Sequence, residues 1–174
     1  MTAERIIRDL RKSDIAGLQE IDTAAHGSPW SQRTFLDDIS ATDRLHLVAE
    51  TANSVVGHAA AWIDGPSCRV TNVAVDAAHA GQGHASALLG ALLQQSMATH
   101  RVANVHLEVR PSNRRAQRLY SRFGFVPVGV ERNFYDRSDV HGSRDAVVMA
   151  VIDVCAEVWR DRLIDLTAEH EAAQ

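Results

Sequence analysis

From Cys68 to Val109 a strand pattern, a glycine-bearing turn, a long helix pattern and a second strand pattern follow one another directly, and this order constrains the fold more than any other feature. Cys68 to Val75 is rich in apolar and β-branched residues, and Ala80-Gly81-Gln82-Gly83-His84 forms the turn. Ala85, Leu88, Leu89, Leu92, Leu93, Ser96 and Met97 then fall on one helical stripe. Val102 to Val109 is the next strand and Pro111 ends it. Ser112 or Asn113 caps a short helix running to about Phe123, and Gly124 suits a left-handed helix terminus.

On either side the patterns are mixed. Ile6 to Leu10 reads as a strand, and Ser13 or Asp14 caps a helix carrying Ile15, Leu18 and Ile21. Pro29-Trp30-Ser31 breaks that helix, and Ser31 caps another carrying Phe35, Leu36 and Ile39. Leu45 to Glu50 and Val55 to Ile63 join Cys68 to Val75 in an antiparallel meander. Phe125 to Arg132 and Asp145 to Ile152 are two further strands. Val154, Cys155, Val158, Trp159, Leu163 and Leu166 outline a terminal amphipathic helix. Strands first, then strand–helix–strand–helix–strand–strand, is the order of an α+β or mixed-sheet domain. Residues 1–152 form that domain in this reading. Residues 153–174 are an extension packed on it or on a second subunit.

At 174 residues one ordinary core is sustainable and two full domains are a squeeze. Apolar residues make up 45% and charged residues 23%, a globular profile. The net charge of −4 sets a dedicated nucleic-acid binder behind other readings. The two cysteines, Cys68 and Cys155, form no C-x-x-C pair, which argues against a structural zinc site and a disulfide scaffold. The charged start is no signal peptide, and no apolar run has membrane-spanning length. A cytoplasmic chain, without membrane or direct nucleic-acid partners, is the expectation.

Two segments offer chemistry. Amides at a helix start lack internal partners and sit at the positive end of the helix dipole. The run Gly81, Gln82, Gly83, His84, Ala85, Ser86 therefore suits a pyrophosphate held by main chain, although an ordinary turn has the same appearance. Neither the Walker pattern nor the three-glycine dinucleotide fingerprint is present. In the second segment Asn113 and Tyr120 lie seven residues apart, two turns along one helix face, with Ala116 between them. Glu108 alternates in face with Leu107 and Val109, as either a solvent-facing residue or a functional one. His106-x-Glu108 has the spacing of a zinc deaminase but lacks the downstream P-C-x-x-C, and the nine histidines show no ligand cluster, so no metal is expected. Arg114, Arg115, Arg118 and Arg122 are compatible with a solvated helix face or with attraction of phosphates.

Together the two segments resemble the GNAT superfamily of acetyl-CoA-dependent N-acetyltransferases, and within it the RimI type, the ribosomal-protein-alanine N-acetyltransferases. Four stretches between Arg5 and Ile152 carry the resemblance. They are Ala25 to Ser31, Thr71 to Asp76, Leu107 to Phe125, and Arg132-Asn133-Phe134-Tyr135 with Asp145 to Met149. The block L-E-V-R-x-S-N-x-x-A-x-x-L-Y-x-x-x-G-F is matched in full. The resemblance implies a mixed, mostly antiparallel sheet of about seven strands, splayed in the middle and flanked by helices. It implies acetyl-CoA in that opening, with main-chain contacts from Val73, Ala74 and Val75 and a pyrophosphate cradle from Gly81 to Ser86. It implies further that Asn113 bonds the cofactor, Glu108 is the general base and Tyr120 the general acid. Trp30, Arg132, Phe134 and Tyr135 would border the groove for a protein N-terminal peptide, with the protein a monomer or weak dimer. One departure stands out: Gly81 occupies a loop position where arginine is common.

The chemistry suits these residue types. An α-amino group, pKa near 8, is largely protonated at neutral pH and must lose a proton before attacking a thioester. A carboxylate can accept that proton, a strand N–H can stabilise the tetrahedral oxyanion, and a tyrosine can protonate the leaving thiolate. Two other readings remain at this point: transfer to a small-molecule amine, and a non-catalytic acetyl-CoA-binding module.

Overall fold

A computed structural model describes residues 4–154 and 157–172. Its centre is a seven-stranded sheet built from β1 (Arg5–Asp9), β2 (Arg44–Thr51), β3 (Ser54–Asp64), β4 (Ser67–Val75), β5 (Asn104–Val109), β6 (Val126–Glu131) and β7 (Ala146–Val151), in the order β1-β2-β3-β4-β5-β7-β6. The helices are α1 (Ile15–His26), α2 (Gln32–Ser40), α3 (His84–His100), α4 (Arg114–Arg122) and α5 (Glu157–Ala172). Only β4 and β5 pair in parallel; the other neighbours are antiparallel. A parallel pair needs a crossover, and α3 supplies it.

The sheet separates two cores. On one side Leu88, Leu89, Leu92 and Leu93 of α3 and Trp159, Leu163 and Leu166 of α5 pack on Leu47, Ala59, Val70 and Leu107. On the other side Ile15, Leu18 and Ile21 of α1 and Phe35 of α2 pack on Val48 and Ala74. The strand and helix patterns expected from the sequence are thus present within a residue or two at most ends. β5 starts later than expected, at Asn104, because the N–H groups of Ala103 and Asn104 both donate to the Pro66 carbonyl and delay pairing.

Two local readings change. α1 ends on Gly27, whose φ of 76° closes the helix before Pro29 is reached. Asp14 does not cap α1 with its side chain, because its carboxylate is taken by Arg8 and by the Arg11 N–H in the turn ahead of the helix. Cys155 and the side chain of Val158 lie outside the described residues.

Two irregularities in strand pairing shape the functional region. β4 and β5 are in register only from Ser67 opposite Asn104 to Val70 opposite Leu107, and beyond that point the strands part. In the pairing with β3, Ala60 lies opposite Asn72 but Ala61 lies opposite Val70, so Thr71 is an extra residue. One extra residue reverses the alternation of faces. Val70 therefore points at α3, while Asn72 and Ala74 point at α1 and α2.

Gly57 keeps this parted strand close to β3. A Cβ built there would lie 2.8 Å from the Ala74 carbonyl oxygen and 3.2 Å from Val75 Cα, both backbone atoms that cannot rotate away. Gly57→Ala is expected to cost about 1–3 kcal/mol, as overpacking against a fixed neighbour does. Chemical denaturation checks it, and an unchanged midpoint would show that β4 yields freely here.

Candidate active site

The parting of β4 and β5 leaves a slot whose banks are Thr71 to Val75 on one side and Glu108 and Val109 on the other. At its far end the turn before α3 contains Gly81 and Gly83, with φ of 83° and 81°. Gly83 is the N-cap of α3 and supplies no side chain, so the first amides of the helix have no side-chain cap. His84 follows, buried, with neither ring nitrogen hydrogen-bonded. Burial lowers its proton affinity, and Arg5 and His79 add to the effect. The Thr71 hydroxyl at the start of the slot is likewise buried and unpartnered. Open amides, orphaned polar atoms and a strand edge without a neighbour are the donor set that a phosphate-bearing thioester requires. The residues Val73, Ala74, Val75, Gly81, Gln82, Gly83, His84, Ala85 and Ser86 all belong to this slot or to the turn at its end.

Glu108 stands where the strands separate, on the α1/α2 side of the sheet. Arg69 Nε donates to its Oε2 at 3.0 Å, and the glutamate side chain is only 9% exposed. The Arg69 guanidinium also lies 5.6 Å from the Phe134 ring centre. Phe134 and Tyr135 meet edge to face at 4.9 Å, and the Arg110 guanidinium sits 3.9 Å from the Tyr135 ring centre. Burial raises the Tyr135 pKa; the Arg110 charge opposes this and the Glu108 charge reinforces it. Tyr120 is buried against Phe125, and burial, with Tyr135 next to it, holds its hydroxyl firmly protonated. Glu108, Tyr135 and Tyr120 thus form one electrostatic group.

Other expected site residues stand differently. Asn113 is exposed and outside the helix: as N-cap of α4 its Oδ1 accepts the Ala116 N–H, so it shares no flat face with the buried Tyr120. Its free amide nitrogen is what remains for a ligand. Arg132 is largely in solvent, 4.0 Å from Asp145, apart from the group around Glu108. Trp30 is tied into the α1–α2 core: its ring meets Phe35 and His46, and its backbone N–H donates to Asp22 Oδ2.

Arg69, Arg110 and a chain of side chains through Asp22, His58, His46, Asn72 and His26 were not singled out by sequence reasoning. His46 and His58 did carry a signal, since each interrupts an apolar strand run and a buried polar group needs a partner. Cys68 is buried on the α3 side, its thiol pushed up to about 12 by burial, and so is a poor nucleophile for an acyl intermediate. Among the described residues no group of three or more His, Cys, Asp or Glu side chains is placed to hold a metal ion. No helix among them is long and apolar enough to cross a membrane.

Residues 15–125, which span α1, the meander, the slot and α4, match the family model described as Acetyltransferase (GNAT) family. The chain belongs to the GNAT acetyltransferase family. A relative from Haemophilus ducreyi, named [Ribosomal protein bS18]-alanine N-acetyltransferase, is 36% identical over 84% of this chain and 99% of its own length. Among GNAT structures, the crystal structure of the ribosomal-protein-S18-alanine N-acetyltransferase from Escherichia coli superposes with a TM-score of 0.76 at 30% identity, covering 88% of this chain and 97% of that one. Arabidopsis thaliana Naa50, solved with the bisubstrate analogue CoA-Ac-MVNAL, gives a TM-score of 0.72 at 20% identity, covering 84% of this chain and 97% of that one, and shares the GNAT fold.

Proposed function

We propose that the protein transfers the acetyl group of acetyl-CoA to the α-amino group of a protein N-terminus, an N-terminal alanine on a small-subunit ribosomal protein. The observation that carries this reading is the slot itself: a parted strand pair with Glu108 at its mouth and a helix start with open amides at its far end. The acceptor is supported by the Haemophilus ducreyi relative, 36% identical over 99% of its length, and by the Escherichia coli structure at 30% identity, both named for alanine acetylation of ribosomal protein S18. Acetyl-CoA supplies an activated thioester carbonyl. Val73, Ala74 and Val75 line its thioester and pantetheine, and Gly81 to Ser86 its pyrophosphate.

Arg69 occupies Oε2 of Glu108 and leaves Oε1 to accept the ammonium proton, directly or through a water. The free amine then attacks the carbonyl. The oxyanion that forms is met by an N–H on the open edge of β4, around Val75. The C–S bond breaks as the sulfur takes the Tyr120 proton, and the surplus proton on the new amide nitrogen leaves to restore the phenol, directly or through water. Phe134, Tyr135 and Trp30 border the peptide on the α1/α2 side. The protein acts as a monomer or weak dimer in the cytoplasm, with residues 153–174 an extension of the catalytic unit.

Incubation with acetyl-CoA and short peptides differing at the first residue, alongside free polyamines, tests the reading by CoA release. Turnover of alanine-first peptides alone is the expected result, and turnover of amines alone would overturn the acceptor. In the same assay Tyr120→Phe is expected to lower kcat by about tenfold to a hundredfold, leaving the KM for acetyl-CoA nearly unchanged. Undiminished kcat would remove Tyr120 from the acid role.

A further inference from the structure

A buried chain of hydrogen bonds crosses the α1/α2 side of the sheet. Asp38 Oδ2 lies 2.9 Å from His46 Nδ1, His46 Nε2 lies 2.9 Å from His58 Nδ1, and His58 Nε2 lies 3.0 Å from Asp22 Oδ1. All four residues are buried, Asp22 and His58 completely. At one end Arg44 Nη1 donates to Asp38 Oδ1 at 3.0 Å. At the other, Asp22 accepts Asn72 Nδ2 and the Trp30 N–H. Asn72 Oδ1 in turn faces His26 Nε2 at 2.9 Å.

Counting protons along the chain decides its charge. Burial tends to raise the Asp22 pKa, but its bonds from His58, Asn72 and the Trp30 N–H outweigh burial and hold it below the usual carboxylate range. Asp38 is paired with Arg44. Ionised carboxylates only accept, so His46 Nδ1 and His58 Nε2 must each carry a proton. A neutral imidazole has one proton. With those two assigned, His46 Nε2 and His58 Nδ1 would face each other lone pair to lone pair at 2.9 Å. A third proton between them is required. Burial and the neighbouring His58 charge lower the proton affinity of His46 and outweigh Asp38 and Asp22, so the third proton is held by the bonding pattern against that pull and is the one to leave as pH rises.

We infer that His46 and His58 share one trapped proton and act as positioning residues, holding Asp22 on Asn72 so that Asn72 presents His26 at the acceptor side of the slot. The positioning role rests on the acetyl-transfer reading; the trapped proton does not. Asn72 lies just past the Thr71 bulge, on the bank facing Glu108. Because Asn72 Nδ2 donates to Asp22 and its oxygen faces His26, His26 must donate from Nε2. His26 is the last residue of α1, at the start of the loop to Trp30 that walls the proposed peptide groove. The groups facing the pair are Asp38 of α2, Arg44 of β2, Asp22 and His26 of α1 with Asn72 of β4 between them, and the rings of Phe35 and Trp30. As pH rises and the third proton leaves, one ring must release either Asp38 or Asp22. Release of Asp22 ends the hold on Asn72 and His26, which is therefore full at low pH and weakened at high pH.

Asp38→Asn separates the effects. Its amide can donate to His46 Nδ1 while its oxygen keeps Arg44, and the chain then closes with two protons and neutral rings. In ¹⁵N side-chain NMR at mildly acidic pH, the wild-type pair is expected to show three protons on four nitrogens and the variant two. Two neutral rings in the wild type would overturn the trapped proton, whether or not the protein turns over any substrate. In the same spectra the His26 Nε2–H tautomer should be unchanged in the variant when the wild-type pair deprotonates, and should weaken in the wild type. Relative to the variant, the wild-type KM for acceptor peptide should rise about fivefold across that titration, with the KM for acetyl-CoA unmoved. Parallel KM profiles, or a His26 signal indifferent to the pair, would overturn the positioning role.

Discussion

Glu108→Gln is expected to lower kcat/KM for acceptor peptide by about a hundredfold or more, the size of effect that loss of a positioned base produces. Glutamine keeps the shape and can still accept from Arg69, so the hydrogen-bonded geometry around Phe134 should persist. The loss should be greatest at low pH. An α-amino group with a pKa near 8 is then mostly ammonium, and without a base only the residual free amine reacts, so the variant's rate should rise roughly tenfold per pH unit below 8. The wild type, able to take the proton itself, should have a flatter profile. Identical profiles would remove Glu108 from the base role, while acetyl-CoA affinity measured by calorimetry would show whether the slot itself is intact.

Trp159→Ala is expected to destabilise the fold by about 3–5 kcal/mol, the range for deleting a large buried aromatic side chain. Trp159 is 8% exposed, and its Nε1–H donates to the Phe123 carbonyl at 2.8 Å. Its ring covers Gly124, which has a φ of 85° and where any Cβ would fall 2.9 Å from Trp159 Cδ1. Phe123 and Phe125 both donate backbone N–H groups to the Tyr120 carbonyl. The same contact therefore clamps α5 onto the end of α4 that carries the proposed acid. Urea denaturation measures the loss, and a shift below about 1 kcal/mol would show that α5 is an accessory to the fold rather than part of its core. Gly124→Ala, which meets the same ring from the other side at a left-handed position, should move stability in the same direction.

These two residues differ in how far they could be read in advance. Glu108 lies in a block of consecutive residues, Leu107 to Phe125, where a strand end, a cap and a helix face are set by neighbours in the chain, so its surroundings are nearly local. The slot beside it is not local. Nothing in the run from Cys68 to Val75 announces that pairing with β5 stops at Val70, because that stop depends on where β5 arrives after a seventeen-residue helix. Trp159 was legible as one apolar position of a terminal helix, but not as the residue that covers Gly124.

Local pattern was sufficient wherever a short-range rule governs: periodicity of 2 or 3.6, a serine at the start of α2, a glycine after α4. It placed the strands, helices and the glycine turn, since hydrophobic alternation and backbone sterics act over a few residues. Tertiary packing alone set the face on which Asn72 emerges, because one extra residue at Thr71 inverts every later side chain of β4. It alone brought Asp38, His46, His58 and Asp22 into line across two helices and two strands. Hydrogen bonds between side chains distant in sequence depend on how the elements are docked, and no periodicity in the chain encodes that docking.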